Sequence, residues 1–231
     1  MTTQMTATPS IATITTGRVK ATLDRLYAET LRVDPLVRQA AQRDGFGSEA
    51  DAGFYRAMRD AYMPVTPDMG NLLYLLVRSS GARSVIEYGT SFGLSTLFLA
   101  AALRDNGGGV LISTEIEAHK AAQARLNLAE AGLDDLVEIR LGDATRTLAE
   151  GCPDVIDFVL LDGAKSDYLP VLKILEPRLR TGALISADNS EMAGAQAFVD
   201  YVREPGNGYL CTSLFTRALG DYHANQIVMR G

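Results

Sequence analysis

The chain has 231 residues, of which 47% are hydrophobic and 22% are charged, and its formal net charge at pH 7 is −6. A chain of this length can bury a core without disulfides, its acidic balance argues against a nucleic-acid partner, and its cysteines, Cys152 and Cys211, lack zinc-ligand spacing. Its longest apolar runs are too short to cross a bilayer, so we expect a cytoplasmic protein with no membrane partner.

The N-terminal third of the chain divides into a tail and a helical region. Residues 1–16 are rich in threonine and lack the apolar centre of a signal peptide, and we interpret them as a flexible tail. From residue 17 to about residue 80, apolar residues recur every three or four positions, as in Leu36, Val37 and Ala40. This periodicity predicts a helical cap over residues 17–80.

From residue 81 to residue 231, short β-rich runs alternate with helical patterns. The predicted strands lie near residues 84–88, 110–114, 137–140, 156–161 and 183–187, followed by two more near 209–215 and 224–229. The predicted helices lie near residues 94–103, 117–131, 145–150, 168–179 and 192–203. The alternation predicts a single α/β domain with a Rossmann-like, doubly wound sheet of seven strands. The sheet is expected to be mostly parallel, with the last two strands paired antiparallel at one edge.

The turn after the first predicted strand, residues 87–93, is typical of a ligand-binding turn between a strand and a helix. It lacks the G-x-G-x-x-G pattern of dinucleotide sites, because Ser91 stands at the third position. The carboxylate of Glu87 would repel a pyrophosphate but would attract the ammonium group of S-adenosylmethionine. Glu115, at the end of the second predicted strand, could accept hydrogen bonds from both ribose hydroxyls. The alternative is a tight turn that binds no ligand.

Oxygen-bearing side chains follow the fourth and fifth predicted strands. Asp162 comes after the fourth strand, and Asp188 and Asn189 come after the fifth. Adjacent parallel strands would bring these residues together as a hard-oxygen set suited to Mg²⁺, with Ca²⁺ or Mn²⁺ as alternatives. Lys165, three residues past Asp162, could act as a general base on a substrate oxygen. The alternative is that these acidic residues simply cap the helices that follow.

Other chemistry-bearing side chains have simpler interpretations. We interpret His119 as a surface residue, Lys120 and Arg125 as solvated charges, and His223 as a solvated residue in a hairpin. No serine-hydrolase elbow is present. The alternatives that remain open are a metal-independent methyltransferase, an NAD(P)-dependent oxidoreductase and a non-catalytic cofactor-binding protein.

Six segments taken in chain order carry a family resemblance. They are Met63-Pro64-Val65, Glu87-x-Gly89-x-x-x-Gly93-x-Ser95, Thr114-Glu115-Ile116, Gly142-Asp143-Ala144, Asp162-x-x-Lys165-x-x-Tyr168 and Asp188-Asn189. Together they resemble the metal-dependent O-methyltransferases, the family that includes catechol O-methyltransferase and caffeoyl-CoA O-methyltransferase. The chain departs from that pattern at Ala164 and over residues 220–226, where the family borders the acceptor.

The resemblance implies a role for each of these residues. The residues implied to bind S-adenosylmethionine are Val65, Glu87, Gly89, Thr90, Ser91, Ser95, Glu115, Ile116, Asp143, Ala144 and Asp162. Those implied to bind the metal are Asp162, Asp188 and Asn189. Lys165 would be the catalytic base, and Met63 would sit between the methyl donor and the acceptor. The implied acceptor is a small aromatic molecule with two neighbouring hydroxyls, and the implied assembly is a homodimer that forms through the N-terminal helices.

Overall fold

The computed structural model describes residues 12–15, 17–47, 53–218 and 221–231. Most of the predicted tail lies outside these ranges. Within it, residues 13–15 form a short 3₁₀ turn, in which Ile14 is buried and the backbone N–H of Thr13 donates to Asp105 at 2.9 Å. The packed part of the chain therefore begins before the predicted boundary at residue 17.

The cap consists of three helices. They are α1 (Gly17–Arg43), α2 (Phe54–Ala57) and α3 (Pro67–Ser79). The hydroxyl of Thr66 accepts a hydrogen bond from the N–H of Met69 and so caps α3. The prediction for Leu36 was wrong, since this side chain is 66% exposed; at this level α1 turns Asp34 and Ala41 inwards instead. Across the described ranges, no helix has both the length and the apolar character needed to span a membrane.

A seven-stranded sheet forms the core, as predicted. Its strands are β1 (Ser84–Tyr88), β2 (Val110–Glu115), β3 (Val137–Leu141), β4 (Ile156–Leu161), β5 (Leu179–Ala187), β6 (Tyr209–Ala218) and β7 (Asp221–Arg230). Their spatial order is β3-β2-β1-β4-β5-β7-β6. Strands β1 to β5 are parallel, and β7 runs antiparallel to both β5 and β6. The predicted antiparallel pair is confirmed, with β6 at the edge and β7 inserted next to β5.

Five helices cover the two faces of the sheet. They are α4 (Leu94–Asp105), α5 (Ala118–Ala131), α6 (Ala144–Thr147), α7 (Tyr168–Leu175) and α8 (Gln196–Arg203). Three are shorter than predicted. The longest error is at α7, which was predicted to reach residue 179 but gives way to a 3₁₀ turn around Pro177. Proline disfavours helical backbone at the residue before it, so the helix ends early and β5 begins at Leu179.

The two faces of the sheet bury separate hydrophobic clusters. Val85 of β1 packs with α3 and α4 on one face, and its neighbour Ile86 packs with α7 and α8 on the other. Helix α4 is nearly all buried because it lies between the sheet and α3. The two helices approach closely at Gly70, where a Cβ atom would lie 2.4 Å from the ring of Phe98. This packing fixes the start of α4, where the candidate site begins.

Asp157, in β4, ties together the starts of three strands. Its carboxylate accepts the backbone N–H groups of Arg83 and Ser84 at 2.8 and 2.9 Å, and the guanidinium of Arg180 at 2.6 Å. Burial alone would raise the pKa of Asp157, but these donors hold it below its ordinary value. A carboxylate with a lowered folded-state pKa stabilises the fold above its unfolded pKa, and the stabilisation is lost as the pH falls through the folded pKa.

Asp157→Asn is therefore expected to lower the free energy of unfolding at pH 7 by about 1–2 kcal/mol, since it removes the ion pair and one acceptor. The difference from the unmodified protein should shrink below about pH 4, where both forms of the protein carry an uncharged group. Chemical denaturation at pH 7 and at pH 4 measures both values. The exposed neighbour Asp154 offers a control, Asp154→Asn, which should change neither. A difference that is independent of pH would contradict the assignment.

Candidate active site

The tips of three neighbouring parallel strands form the floor of the candidate site. Tyr88, Leu161 and Ala187 stand level with one another at the ends of β1, β4 and β5. Two backbone hydrogen bonds continue the ladder past these tips. The N–H of Asp162 donates to the carbonyl of Tyr88 at 2.8 Å, and the N–H of Asp188 donates to the carbonyl of Leu161 at 2.9 Å. The strand ends therefore hold the two aspartates side by side.

The carboxyl groups of Asp162 and Asp188 lie within hydrogen-bonding distance of each other. Burial raises the pKa of Asp162 well above its ordinary value, and repulsion from Asp188 adds to the effect. Burial also raises the pKa of Asp188, although Lys165 opposes it. The buried ammonium of Lys165 lies 3.5 Å from an oxygen of Asp162. The arrangement thus gathers two acids and one base in a space shielded from water.

A divalent cation fits this donor set. Two facing carboxylates with one ammonium leave an uncompensated negative charge, and a cation would relieve it. All the donors are oxygens, which suits Mg²⁺ or Ca²⁺. Within the described ranges no cluster of three or more His, Cys, Asp and Glu side chains occurs, and the third predicted ligand, Asn189, is an amide. The capping alternative is wrong, because Ala164 and Ala195 precede the following helical turns.

The glycine turn packs directly against this acidic pair. Gly89 has φ of +106°, and a Cβ atom there would lie 2.5 Å from the carbonyl oxygen of Asp162. Gly93, also left-handed, starts α4 against Ala124. Only glycine meets both conditions at residue 89, because a side chain would be strained in φ and would clash with backbone. The turn and the aspartate loop therefore form one continuous wall.

Glu87 lies beneath the glycine turn. It is fully buried, and its carboxylate accepts three hydroxyl hydrogen bonds, from Ser95 and Thr96 at 2.6 Å and from Ser113 at 2.5 Å. Burial raises the pKa of Glu87, while these three donors work in the opposite direction. The sequence indicated a charge at this position but not its hydroxyl partners. Through them Glu87 joins β1 to β2 and to the first turn of α4.

Backbone N–H groups fix the carboxylate of Glu115. One of its oxygens accepts the N–H of Ser91 at 2.7 Å, and the other accepts those of Ile116 and Glu117 at 2.8 and 2.9 Å. The side chain is therefore held in one position at the end of β2, beside the glycine turn. The neighbouring Ile116 is 69% exposed and presents an apolar surface at the same end of the sheet.

The remaining predicted cofactor residues lie at the ends of β2 and β3. Asp143 is exposed and caps α6, because its carboxylate accepts the hydroxyl and the N–H of Thr145 at 2.7 and 2.8 Å. Those hydrogen bonds lower the pKa of Asp143. The adjacent Ala144 is buried. Thr90, in the glycine turn, is buried and hydrogen-bonds to Ser113.

A loop of the cap closes the site from the other side. The buried carboxylate of Asp34 accepts the N–H groups of Tyr62 and Met63 at 2.7 and 2.9 Å. The carbonyl of Val65 accepts the hydroxyl of Tyr27 at 3.0 Å, and Val65 itself is buried. These bonds hold Met63 and Val65 at the edge of the glycine turn, as the resemblance implies.

Backbone strain concentrates at the candidate site. In the part of the chain that the structure describes, three residues other than glycine have positive φ: Met63 at +44°, Ser91 at +48° and Asn189 at +49°. One lies in the cap loop, one in the glycine turn and one at the tip of β5. Such conformations cost about 1–3 kcal/mol and are characteristic of functional sites, where the surroundings hold them in place.

Two interpretations of basic side chains were wrong. Lys120 is buried, and its ammonium donates to the carbonyl of Ala61 and the hydroxyl of Ser91. The helical pattern could have shown this, because Lys120 shares a face of α5 with the small residue Ala124 and the buried Asn127. His223 is half-buried, and its Nδ1 lies 3.0 Å from a carboxylate oxygen of Glu191. His119 is exposed, as predicted.

The chain was compared with known proteins. A sequence profile of the O-methyltransferase family matches residues 53–205. A catechol O-methyltransferase from Niastella koreensis is 34% identical over 151 residues, which span 63% of this chain and 67% of the relative. Catechol O-methyltransferase B from Danio rerio is 31% identical over 194 residues, which span 80% of this chain and 73% of the relative.

Solved structures give the same result. An O-methyltransferase from Bacillus cereus, in complex with S-adenosylhomocysteine, superposes with a TM-score of 0.70 at 26% identity and covers 91% of each chain. The O-methyltransferase TomG from Streptomyces achromogenes, involved in tomaymycin synthesis and solved with S-adenosylmethionine, gives a TM-score of 0.66 at 28% identity and covers 78% of this chain and 86% of its own. These matches exclude the oxidoreductase and non-catalytic alternatives, and the chain belongs to the O-methyltransferase family.

Proposed function

We propose that the protein transfers a methyl group from S-adenosylmethionine to one hydroxyl of a small aromatic acceptor that carries two neighbouring hydroxyls. The observation that carries the proposal is the buried set of Asp162, Asp188 and Lys165 beside the glycine turn. Two relatives named catechol O-methyltransferase, and structural neighbours solved with S-adenosylmethionine or its product, support the donor and the class of acceptor.

The methyl donor would lie across the glycine turn. Glu115, fixed by three backbone N–H groups, is suited to accept the two ribose hydroxyls. The exposed surface of Ile116 is suited to the adenine ring, with Asp143 and Ala144 on the opposite side. The residues assigned to the methionine end are Val65, Glu87, Gly89, Thr90, Ser91, Ser95 and Asp162. When bound, the donor supplies an electrophilic methyl group on sulfur.

Asp162, Asp188 and Asn189 would hold a divalent cation, with Mg²⁺ favoured by the all-oxygen donor set. When bound, the cation supplies positive charge that orients both acceptor oxygens and favours loss of a proton from one of them. Lys165 removes that proton at Nζ, since it is the basic group buried with the two aspartates. Met63 separates the donor side from the acceptor side, and the burial of the set excludes water.

We further infer a single methyltransferase domain over residues 17–231, because the cap loop is hydrogen-bonded to the glycine turn of the core. A homodimer through α1 is part of the same proposal. The exposed side chains of Leu31 and Leu36 provide the apolar surface that such a contact needs.

The test is a methylation screen of dihydroxy-aromatic compounds, with single-hydroxyl analogues as controls, in Mg²⁺, in Ca²⁺ and in EDTA. The proposal expects turnover of the dihydroxy compounds with a divalent cation and loss of turnover in EDTA. A metal-independent reaction is the second candidate, since Lys165 already pairs with Asp162 in the structure. Turnover that is insensitive to EDTA would support it, and failure to bind S-adenosylhomocysteine would contradict both candidates.

A further inference from the structure

Lys120 is a buried cation that the proposed mechanism does not use. It is 4% exposed, and its Nζ lies 2.9 Å from the carbonyl oxygen of Ala61 and 3.2 Å from the hydroxyl oxygen of Ser91. Nζ also lies 5.4 Å from the centre of the Phe92 ring. A buried ammonium is costly unless it is hydrogen-bonded or paired. Its neutral partners therefore indicate that the site gains something from these particular contacts.

The contacts of Lys120 lie where the cap loop meets the glycine turn. The hydroxyl of Ser91 donates to the carbonyl of Tyr62 at 2.8 Å. The rings of Tyr62 and Phe92 stack with centres 4.2 Å apart and planes at 22°. Lys120 approaches this junction from α5 and holds one carbonyl of the loop and one hydroxyl of the turn with the same ammonium. It thus connects three segments that are distant in sequence.

Carboxylates on several elements surround Lys120. Burial lowers the pKa of Lys120, and the fields of Glu115, Asp34, Glu117 and Asp60 oppose that change. Two of these carboxylates are themselves held by the joined segments. Asp34 accepts N–H groups of the cap loop, and Glu115 accepts the N–H of Ser91. The cation therefore lies at the centre of the network that shapes the junction.

The geometry points to Lys120 as a positioning residue that fixes Met63 and Ser91 relative to each other. Both residues have strained, left-handed backbone, which persists only where the surroundings over-determine it. The inference rests on the proposed function, in which Ser91 contacts the methyl donor and Met63 separates donor from acceptor. Without the ammonium, the loop and the turn would relax independently, and the donor would lose its alignment with the acceptor.

Lys120→Met, which keeps the length of the side chain and removes the charge, tests the inference. We expect the Kd for S-adenosylhomocysteine, measured by calorimetry, to rise about tenfold, since a hydrogen-bonded charged group is lost. We expect kcat to fall by about 10- to 100-fold, since a small misplacement of reacting groups is enough for such a loss. Amide hydrogen exchange should accelerate in both residues 61–63 and residues 89–93. Lys20→Met removes an exposed lysine of α1 and should change none of these values.

A double-mutant cycle with Ser91→Ala separates positioning from general damage. If Lys120 acts through Ser91, the second substitution should raise the Kd much less in the Lys120→Met background than in the unmodified protein. Ser91→Ala alone also tests the inference should Lys120→Met fail to fold, because an unchanged Kd would overturn it. An unchanged Kd and kcat in folded Lys120→Met would overturn it too. If the unmodified protein itself does not bind S-adenosylhomocysteine, the proposed function fails instead.

Discussion

Lys165→Met is expected to lower kcat by about 10²–10⁴-fold, the usual contribution of a general base. The affinity for S-adenosylhomocysteine should stay within a few-fold of that of the unmodified protein, because the assigned role of Lys165 is proton removal rather than donor binding. Lys165 is buried against Asp162 and lies 5.2 Å from the centre of the Tyr168 ring, so methionine can occupy the same space. Single-turnover kinetics together with calorimetry measure the two quantities separately.

The matched control is Lys173→Met, which removes an exposed lysine on α7 that pairs with Glu176. It should leave kcat within a factor of about two, as expected for a surface ion pair. If Lys165→Met lost donor affinity and turnover to the same extent, Lys165 would be a structural residue of the loop after β4. An unchanged kcat would remove it from the reaction altogether.

Asp188→Ala is expected to lower cation-dependent turnover on the order of 10³-fold, since a bound cation contributes several kcal/mol to such reactions. Calorimetric binding of Mg²⁺ or Ca²⁺ should disappear, while binding of S-adenosylhomocysteine should remain largely intact. The fold should tolerate the change, because removing one of two facing buried carboxylates also removes their mutual repulsion. Cation titration, donor titration and steady-state kinetics on one preparation distinguish these effects.

Asp154→Ala, at an exposed position before β4, is the control for this substitution and should behave as the unmodified protein does. Equal loss of cation binding and donor binding in Asp188→Ala would show that the two sites are not separate. Retention of EDTA-sensitive turnover in Asp188→Ala would place the cation somewhere else.

The sequence predicted the sheet well because its parallel strands are buried on both sides. Such strands are continuous apolar runs, and the predicted first strand matches β1 residue for residue. Errors arose where packing, rather than local pattern, decides the outcome. Leu36 continues an apolar series in α1, yet this level of the helix turns Asp34 inwards to bind the cap loop. Nothing local indicates that the loop has two N–H groups in need of an acceptor.

The candidate site was predictable to the extent that strand tips define it. Asp162 and Asp188 follow adjacent parallel strands, and this topology alone brings them together. Lys120 was missed because its partner Ala61 lies 59 positions away in the sequence, so only the tertiary fold reveals that it is buried. For Glu87, a hydroxyl partner 26 positions away was equally out of reach.

The insertion of β7 between β5 and β6 has a consequence for synthesis. Strand β5 carries Asp188 and Asn189 at its tip, and on one side it pairs early with β4. Its other neighbour is made of residues 221–230, which leave the ribosome after every other strand has been translated. During vectorial synthesis the nascent chain therefore exposes an unpaired β5 flank until those residues arrive. Completion of the sheet, and with it a competent enzyme, is a late event in the life of each molecule.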